Sequence, residues 1–291
     1  MSDRLVFGHM HEDHSAELSR VAHLPVNRAL VIASGGDLAF ALAGAGVDVL
    51  AVDSNSAQIN LVSEKMADPA NALPLCFGGR VDRVLRLAGP VVAWLMDWPR
   101  LRPGRVRISL TNTLEAFLVK IVILIHGHAA GRKLDRPAVR LLRTRLEQAM
   151  RHPDAATNPL LQVLLGKRFG SGLPNVWSTR GIDQWSTASG RIELRTAEIG
   201  EILSKTFPGT FGLISVSNLP DTMDCTAWGT VMNLAAAALK PGGYLIVRSM
   251  LQENIVSHAD LFFDREAVAV VDTSPLCPVV WIGKRNATPE L

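Results

Sequence analysis

The sequence predicts an α/β protein with a mostly parallel, doubly wound sheet. Residues 28–66 have the pattern of a buried strand, a glycine turn, a helix, a second strand ending in an acidic residue, and another helix. The pattern returns in residues 191–284, which brings the expected number of strands to about seven. Apolar residues form 48% of the 291-residue chain, and this content excludes a disordered or low-complexity protein.

Two short apolar runs define the first half of the sheet. Residues 28–33 are expected to form the first strand, followed by a glycine turn at 34–36 and an Ala- and Leu-rich helix. Residues 47–52 are expected to form the second strand, which ends at Asp53, with a helix over 57–66. Continuous apolar runs of this length are typical of parallel strands that are buried on both faces.

The second half of the sheet lies near the carboxyl end of the sequence. Strands are expected at 191–196, 211–217 and 244–249, with helices in the first two connections. Residues 267–272 and 279–284 are separated by a Thr-Ser-Pro turn and are expected to close the sheet as a hairpin.

The segment 70–190 has little β pattern and is interpreted as a helical insertion between the second and third strands. Apolar residues recur there at helical spacing in four stretches, 81–95, 114–130, 137–150 and 159–165. We therefore expect one discontinuous α/β domain formed by 1–69 and 191–291, with 70–190 as a basic helical subdomain.

Charge is divided along the chain in a similar way. Residues 1–65 carry 4 Lys or Arg and 8 Asp or Glu, a net of −4, whereas residues 66–190 carry 18 against 8, a net of +10. Residues 191–291 carry 8 against 11, a net of −3, within an overall charge of +3. The basic insertion is therefore expected to have a different task from the acidic flanks.

The glycine turn and Asp53 together predict a nucleoside site. Gly35 and Gly36 after Ser34 allow the backbone to approach a ligand, and the following helix N-terminus favours negative charge. An ordinary strand-to-helix turn also uses glycine, so the turn alone is a weak signal. A carboxylate at the end of the next strand, as at Asp53, can accept both hydroxyls of an adenosine ribose.

Two further segments agree with a nucleoside-binding α/β fold. The sequence LKPGG at 239–243 precedes a buried strand, as it often does in class I methyltransferase-fold proteins. Ser217 and Asn218 follow the expected fourth strand at the carboxyl edge of the sheet, where open α/β sheets bind ligands. A plain turn is the alternative interpretation of that second segment.

Several motifs resemble one enzyme family. Phe7-Gly8 with Glu12-Asp13, the sequence VDSNSAQ at 52–58, and LKPGGYLIVRS at 239–249 are similar to motifs of S-adenosylmethionine-dependent 3-amino-3-carboxypropyl transferases of betaine-lipid synthesis. The resemblance implies a class I methyltransferase-type, Rossmann-like fold with seven strands and a helical insertion between strands 2 and 3. His14 departs from that family, which usually has Pro at this position.

The resemblance implies S-adenosylmethionine as the cofactor. It implies that Ser34, Gly35, Asp53, Asn55 and Gln58 line the pocket, with Glu198 on the adenine side. With the strand-end positions, the expected cofactor-binding set is Ser34, Gly35, Gly36, Asp53, Asn55, Gln58, Glu198, Ser217 and Asn218.

Two reactions of this cofactor are compatible with the sequence. Transfer of the methyl group leaves S-adenosylhomocysteine, whereas transfer of the aminocarboxypropyl chain leaves methylthioadenosine. The resemblance favours the second reaction, with a hydroxyl on a lipid or lipid-like molecule as the acceptor and with the basic insertion 70–190 as the acceptor and lid subdomain. A hydroxyl acceptor benefits from a base. The candidate catalytic residues are His9, His11, Glu12, Asp13 and Asp221.

The cluster from His9 to His14 also satisfies HxHxDH, a metal-binding motif of metallo-β-lactamase-type hydrolases. That family has a strand-rich half before the motif, whereas only eight residues precede it here. A metal-dependent hydrolase therefore stays a second alternative, and we expect no resident metal. His126 and His128 are interpreted as residues at a helix end.

The segment from Arg132 to Arg151 carries seven Lys or Arg and an amphipathic pattern. It could contact the headgroups of an anionic membrane with its apolar face down, or pack its apolar stripe on the core as a solvated helix. Nucleic acid is a poor partner, because no aromatic residue between Phe117 and Phe169 is present to stack on bases. A non-catalytic nucleoside-binding or membrane-surface protein is the remaining alternative.

Composition predicts a cytoplasmic protein, with peripheral contact at the inner membrane surface. The longest apolar stretch, Ala116 to Ile125, has ten residues and includes a lysine, whereas a bilayer span needs about 20. The first residues have no apolar core of a signal peptide. The three cysteines are far apart in the sequence and no two of them form a CxxC motif, so a disulfide framework is not expected.

Overall fold

A computed structural model describes residues 4–23, 27–95, 115–120, 136–165, 174–251, 262–267, 272–277 and 279–286. Its strands are β1 Arg28–Ile32, β2 Asp48–Asp53, β3 Ile192–Thr196, β4 Phe211–Ser215, β5 Leu239–Arg248, β6 Phe263–Glu266 and β7 Val279–Arg285. They form one seven-stranded sheet in the order β3-β2-β1-β4-β5-β7-β6. Strands β1 to β5 pair in parallel, and β7 is antiparallel to both β5 and β6. The predicted Rossmann-like, methyltransferase-type fold is confirmed.

The helices are α1 Ser15–His23, α2 Asp37–Gly44, α3 Ser56–Ala67, α4 Ala72–Leu75, α5 Arg80–Leu95, α6 Arg136–Arg151, α7 Pro159–Leu164, α8 Thr179–Thr187, α9 Ile199–Ser204 and α10 Cys225–Ala238. Between β2 and β3, the described residues form helices and turns and no strand. Residues 115–120 are helical, whereas the rest of the predicted helix 114–130, with His126 and His128, lies outside the described residues.

Apolar side chains form a separate core on each face of the sheet. Successive residues of β1 alternate between the two faces, so that Val31 enters one core and Leu30 the other. On the first face, Phe40 of α2 stacks on Trp185 of α8 with ring centroids 4.2 Å apart. Helices α9 and α10 cover the second face, where Trp228 is buried. A third apolar cluster joins α5, α6 and α7.

The closing hairpin pairs β7, which lies where it was expected, with β6 at Phe263–Glu266. Of the strand expected at 267–272, residues 268–271 lie outside the described residues. Side-chain packing holds β6 in place: Phe263 is buried edge-on against Trp281, with ring centroids 5.4 Å apart. The hydroxyl of Tyr244 also donates to Glu266 at 3.0 Å, which holds this register.

The Pro-Gly-Gly sequence before the fifth predicted strand lies within β5 itself. Strand β5 begins at Leu239 rather than at Tyr244, and its register against β4 shifts between these two residues. Gly242 has φ +75°, which is a left-handed conformation that glycine adopts without strain. The turn is therefore a bulge in a longer strand.

Candidate active site at the carboxyl ends of the strands

A cavity lies at the carboxyl ends of the central parallel strands. It encloses about 1290 Å³, its opening to solvent included. Ser34 after β1, Asp53 at the end of β2, and Ser217 and Asn218 after β4 line one part of it. Strands β1 and β4 are neighbours, and the helices that follow them, α2 and α10, pack on opposite faces of the sheet. This is the switch point at which open α/β sheets bind ligands.

Two serines at this edge have an unusual backbone conformation. Ser34 has φ +44° and Ser217 has φ +51°, values that are uncommon outside glycine. Such residues cluster at ligand sites, because the surrounding structure must hold them against a local conformational cost. Both serines line the cavity.

The Asp53 carboxylate is fixed at the end of β2. Its Oδ2 accepts a hydrogen bond from the Ser34 N–H at 3.1 Å, and its Oδ1 accepts one from the Asn55 N–H at 2.9 Å. Burial raises its pKa, and these two backbone hydrogen bonds act in the opposite direction. The carboxylate is thus preorganised, and each oxygen keeps a lone pair for a ligand.

Glu12 is the acidic residue with the most suitable position for proton transfer. It lines the cavity, accepts a hydrogen bond from the Ser217 hydroxyl, and lies with Oε2 3.2 Å from Arg248 Nε. Burial raises its pKa to about 7, against the opposing effects of Arg248 and Ser217. A carboxylate with a pKa near neutrality is a suitable general base.

Arg248 organises a buried acidic network behind Glu12. Its guanidinium contacts Glu17 at 2.8 Å and Asp272 at 2.6 Å, and donates to the carbonyl oxygen of Asp13. Burial alone would lower the pKa of Arg248, but Glu17, Glu12 and Asp272 outweigh burial and raise it. The arginine therefore stays charged and positions Glu12. The only sequence feature that could have indicated a buried Arg248 is its position at the end of an apolar strand.

Residues 4–14, here called the N-terminal strap, lie against the glycine turn. Gln58 of α3 accepts hydrogen bonds from the N–H groups of Val6 and Phe7 at 2.7 and 3.0 Å. Its side-chain amide donates to the carbonyl oxygens of Phe7 and Ser34. Gln58 therefore fastens the strap to the turn and lies outside the cavity lining.

Two buried charged residues that sequence reasoning missed also hold the strap. Lys65 donates to the carbonyl oxygens of Gly8 at 2.5 Å and Gly35 at 2.7 Å. Asp37 accepts from the Met10 N–H at 2.8 Å and from Trp177 Nε1 at 2.6 Å. A signal for Lys65 was present, because it continues the buried face of α3.

Gly35 itself must be glycine for steric reasons. A Cβ at this position would lie 2.3 Å from His9 Cα, so the strap and the turn could not approach as they do. Gly36 has φ +94° and precedes the first residue of α2. Neither glycine lines the cavity.

Of the remaining predicted site residues, only His11 lies in the cavity lining. The Asp13 carboxylate accepts from Ser15 and Thr273, and the Asp221 carboxylate accepts from Ser249 and from the Met250 N–H. Asn55 caps α3 by accepting from the Ala57 N–H, and Glu198 precedes α9. His9 is buried beneath His11, which does line the cavity.

The rest of the cavity is apolar. Its walls come from residue Leu118 and from three helices of the segment between β2 and β3. Helix α5 contributes Val81, Leu85 and Val92, helix α6 contributes Leu142 and Leu146, and helix α7 contributes Leu160 and Leu164. Among the described lining residues there is no Lys or Arg, and the two carboxylates are Glu12 and Asp53. Cys277 also lines it, and burial keeps its pKa well above the usual value, so it is a neutral thiol.

The basic helix α6 uses its apolar stripe for packing. Val139, Leu142, Leu146 and Met150 are buried, so this face cannot lie on a bilayer as the amphipathic pattern allowed. The alternative interpretation, a solvated helix packed on a core, describes the structure. Arg145 is buried as well and donates to the carbonyl oxygens of Ser249 and Leu276.

The strand order and the position of the cavity define a Rossmann-like α/β protein of the methyltransferase type. Comparison of the chain with protein-family models and with curated proteins finds no match. Within the described part of the chain, no helix combines the length and apolar character needed to cross a bilayer.

Proposed function

We propose that the protein transfers the 3-amino-3-carboxypropyl group of S-adenosylmethionine to a hydroxyl of a lipid-like acceptor. One observation carries the proposal: a single cavity has an acidic, nucleoside-type end at the sheet and an extended apolar end among helices. An ordinary methyltransferase with this fold is the alternative.

The chemistry of the lining residues fits S-adenosylmethionine. Asp53 is at the strand end where a carboxylate accepts ribose hydroxyls, and its oxygens are oriented by Ser34 and Asn55. Ser217 and Asn218 add polar groups across the switch point. The cofactor carries a positive sulfonium, which matches a lining with two carboxylates and, among described residues, no cationic side chain.

Glu12 is assigned the role of base. When bound, the cofactor supplies an electrophilic carbon next to the sulfonium. The Glu12 carboxylate is ionised above a pH of about 7 and accepts the hydroxyl proton of the acceptor. Oε2 lies 3.2 Å from Arg248 Nε without a hydrogen bond of good geometry, so Glu12 and Arg248 form an ion pair that holds the carboxylate in place. Ser217 holds Oε1 and thereby orients the carboxylate.

The apolar end is assigned to the acceptor. A hydrocarbon chain packed against Leu85, Leu142 and Leu146 gains about 0.8 kcal/mol for each buried CH₂ group. The same walls exclude water from the reacting atoms, which protects the sulfonium from hydrolysis. A small polar acceptor would leave this surface unfilled.

Cytoplasmic location with contact at an anionic membrane surface belongs to the same proposal. Arg136 and Arg140 remain exposed on α6 although its apolar stripe is buried. Exposed arginines near a surface attract anionic headgroups without insertion of the helix.

The products decide the reaction. The purified chain is incubated with S-adenosylmethionine and a total lipid extract, and methylthioadenosine and S-adenosylhomocysteine are measured by chromatography. Aminocarboxypropyl transfer predicts methylthioadenosine that depends on the extract, together with a lipid heavier by that group. S-adenosylhomocysteine alone would establish methyl transfer instead, and neither product would refute both reactions.

A further inference from the structure

Three side chains of the strap and α5 converge beside the cavity. His9 and His11 have ring centroids 4.1 Å apart, and both approach the same oxygen of Asp82. The distances to Asp82 Oδ1 are 3.2 Å from His9 Nδ1 and 3.4 Å from His11 Nε2. One potential ligand atom from each residue lies within 4.8 Å of the others.

The backbone fixes the Asp82 carboxylate in this orientation. Its Oδ2 accepts from the Gly8 N–H at 2.7 Å and from the Gly79 N–H at 3.0 Å, so Oδ1 is directed to the histidines. A Cβ on Gly8 would lie 2.4 Å from the carbonyl oxygen of Cys76, and a Cβ on Gly79 would lie 2.5 Å from Gly8 N. The cluster is therefore held by close backbone packing.

Several of these polar atoms are buried without a normal hydrogen bond. Asp82 Oδ1 and both ring nitrogens of His11 have no partner of good geometry in the described part of the chain. A bound water or ion is one physical explanation of buried polar atoms of this kind. The separation of His11 Nε2 and Asp82 Oδ1 is close to the roughly 3.3 Å that separates two ligand atoms in tetrahedral zinc sites.

His9 Nδ1 lies 2.9 Å from the carbonyl oxygen of Cys76 as well as 3.2 Å from Asp82 Oδ1. When Nδ1–H is donated to that carbonyl, as in many metal-ligating histidines, Nε2 is the ring nitrogen that binds the metal.

We propose that His9, His11 and Asp82 bind one divalent transition-metal ion at the edge of the cavity. Two imidazoles and one carboxylate suit Zn²⁺ and leave at least one coordination position open. Because His11 lines the cavity, that position faces a bound ligand and can take an oxygen of it. Binding of the acceptor hydroxyl at this open coordination position rests on the proposed transfer reaction. The metal site itself does not depend on that reaction.

This site differs from the HxHxDH interpretation of the sequence. Asp13 is held by Ser15 and Thr273, and α5 supplies the carboxylate in its place. No residue spacing in the sequence indicates that Asp82 joins His9 and His11.

The test is direct metal binding by the full chain after treatment with a chelator. Zn²⁺ is titrated in competition with a chromophoric chelator, without S-adenosylmethionine or lipid. We expect about one tightly bound ion per chain. His11→Ala and Asp82→Asn are expected to weaken binding at least about 100-fold, since loss of outer contacts alone costs 10- to 100-fold. His152→Ala, at a half-exposed histidine outside the cluster, is the matched control and is expected to bind normally.

Absence of binding to the wild-type chain would overturn the site, as would equal affinity in all four proteins. If the variants fail to fold, the wild-type chain is loaded with Co²⁺ and its visible spectrum recorded. Bands of four- or five-coordinate cobalt with nitrogen and oxygen ligands are expected, and the spectrum of hexaaquacobalt would refute the site. Neither measurement uses methylthioadenosine, so a failure here leaves the transfer proposal to its own assay.

Discussion

At the scale of single residues, Glu12 has the strongest link to chemistry because it joins the cavity to the buried Arg248 network. Glu12→Gln keeps the shape and the contact with Ser217 but cannot accept a proton. We expect methylthioadenosine formation to fall by about 10²- to 10⁴-fold, the usual contribution of a general base. S-adenosylmethionine affinity, measured by calorimetry, is expected to change much less. Glu201→Gln, at an exposed glutamate, is the control.

The raised pKa of Glu12 also predicts a pH profile. Only the ionised carboxylate can accept the proton, and its pKa is about 7. The rate constant kcat/KM is therefore expected to rise with pH through about 7 and to level off above it. Initial rates between about pH 5.5 and 8.5 measure this. A profile that is flat across neutrality, or the same inflection in Glu12→Gln, would contradict the assignment.

At the scale of elements, the strap depends on charged side chains buried beneath it. Lys65→Met removes the donor to the carbonyl oxygens of Gly8 and Gly35 while keeping a long apolar stem over Trp177. Two buried acceptors left unpaired cost about 2 to 6 kcal/mol in the free energy of unfolding. Urea unfolding measures this loss. Lys205→Met, at an exposed lysine, is expected to cause little change, and equal effects would argue against the clamp.

The exposed side of α6 gives a second prediction for an element. Arg136→Glu with Arg140→Glu reverses charge without touching the buried stripe. We expect the double variant to lose flotation with anionic vesicles at low salt, while neutral vesicles bind neither protein. Arg191→Glu, at a half-exposed arginine on the sheet side, serves as the control. Unchanged flotation of the double variant would remove α6 from the membrane contact.

Sequence reasoning identified the parts of the site that local pattern determines. Ser34, Asp53, Ser217 and Asn218 directly follow or end apolar strands, so their place at the carboxyl edge could be predicted, and all four line the cavity. Hydrogen bonding that depends on distant partners could not be predicted. Gln58 is an example: its position in the motif resembles a ligand contact, but its amide is used by the strap.

At the scale of the whole molecule, the doubly wound, seven-stranded fold class could be predicted because strand and helix alternation leaves few arrangements. The edge hairpin could not, since β6 is short and its register depends on Phe263 meeting Trp281. Likewise, the helical spacing of 137–150 predicted α6 but not that Leu142 and Leu146 would form a cavity wall. Walls contributed by separate segments exist only after the chain has folded.

Because the cavity is lined by several separate segments of the folded chain, a ligand bound in it is expected to raise the stability of the whole molecule. S-adenosylmethionine that binds only the folded chain stabilises it by about 2.7 kcal/mol at a concentration of 100 Kd. We therefore expect the thermal unfolding midpoint to rise with S-adenosylmethionine, and Asp53→Ala to abolish that rise because the anchoring carboxylate is lost. Asp224→Ala, at the exposed cap of α10, is the control that should retain the rise despite a lower midpoint. Stabilisation of Asp53→Ala equal to that of the wild-type chain would place the ligand away from the end of β2.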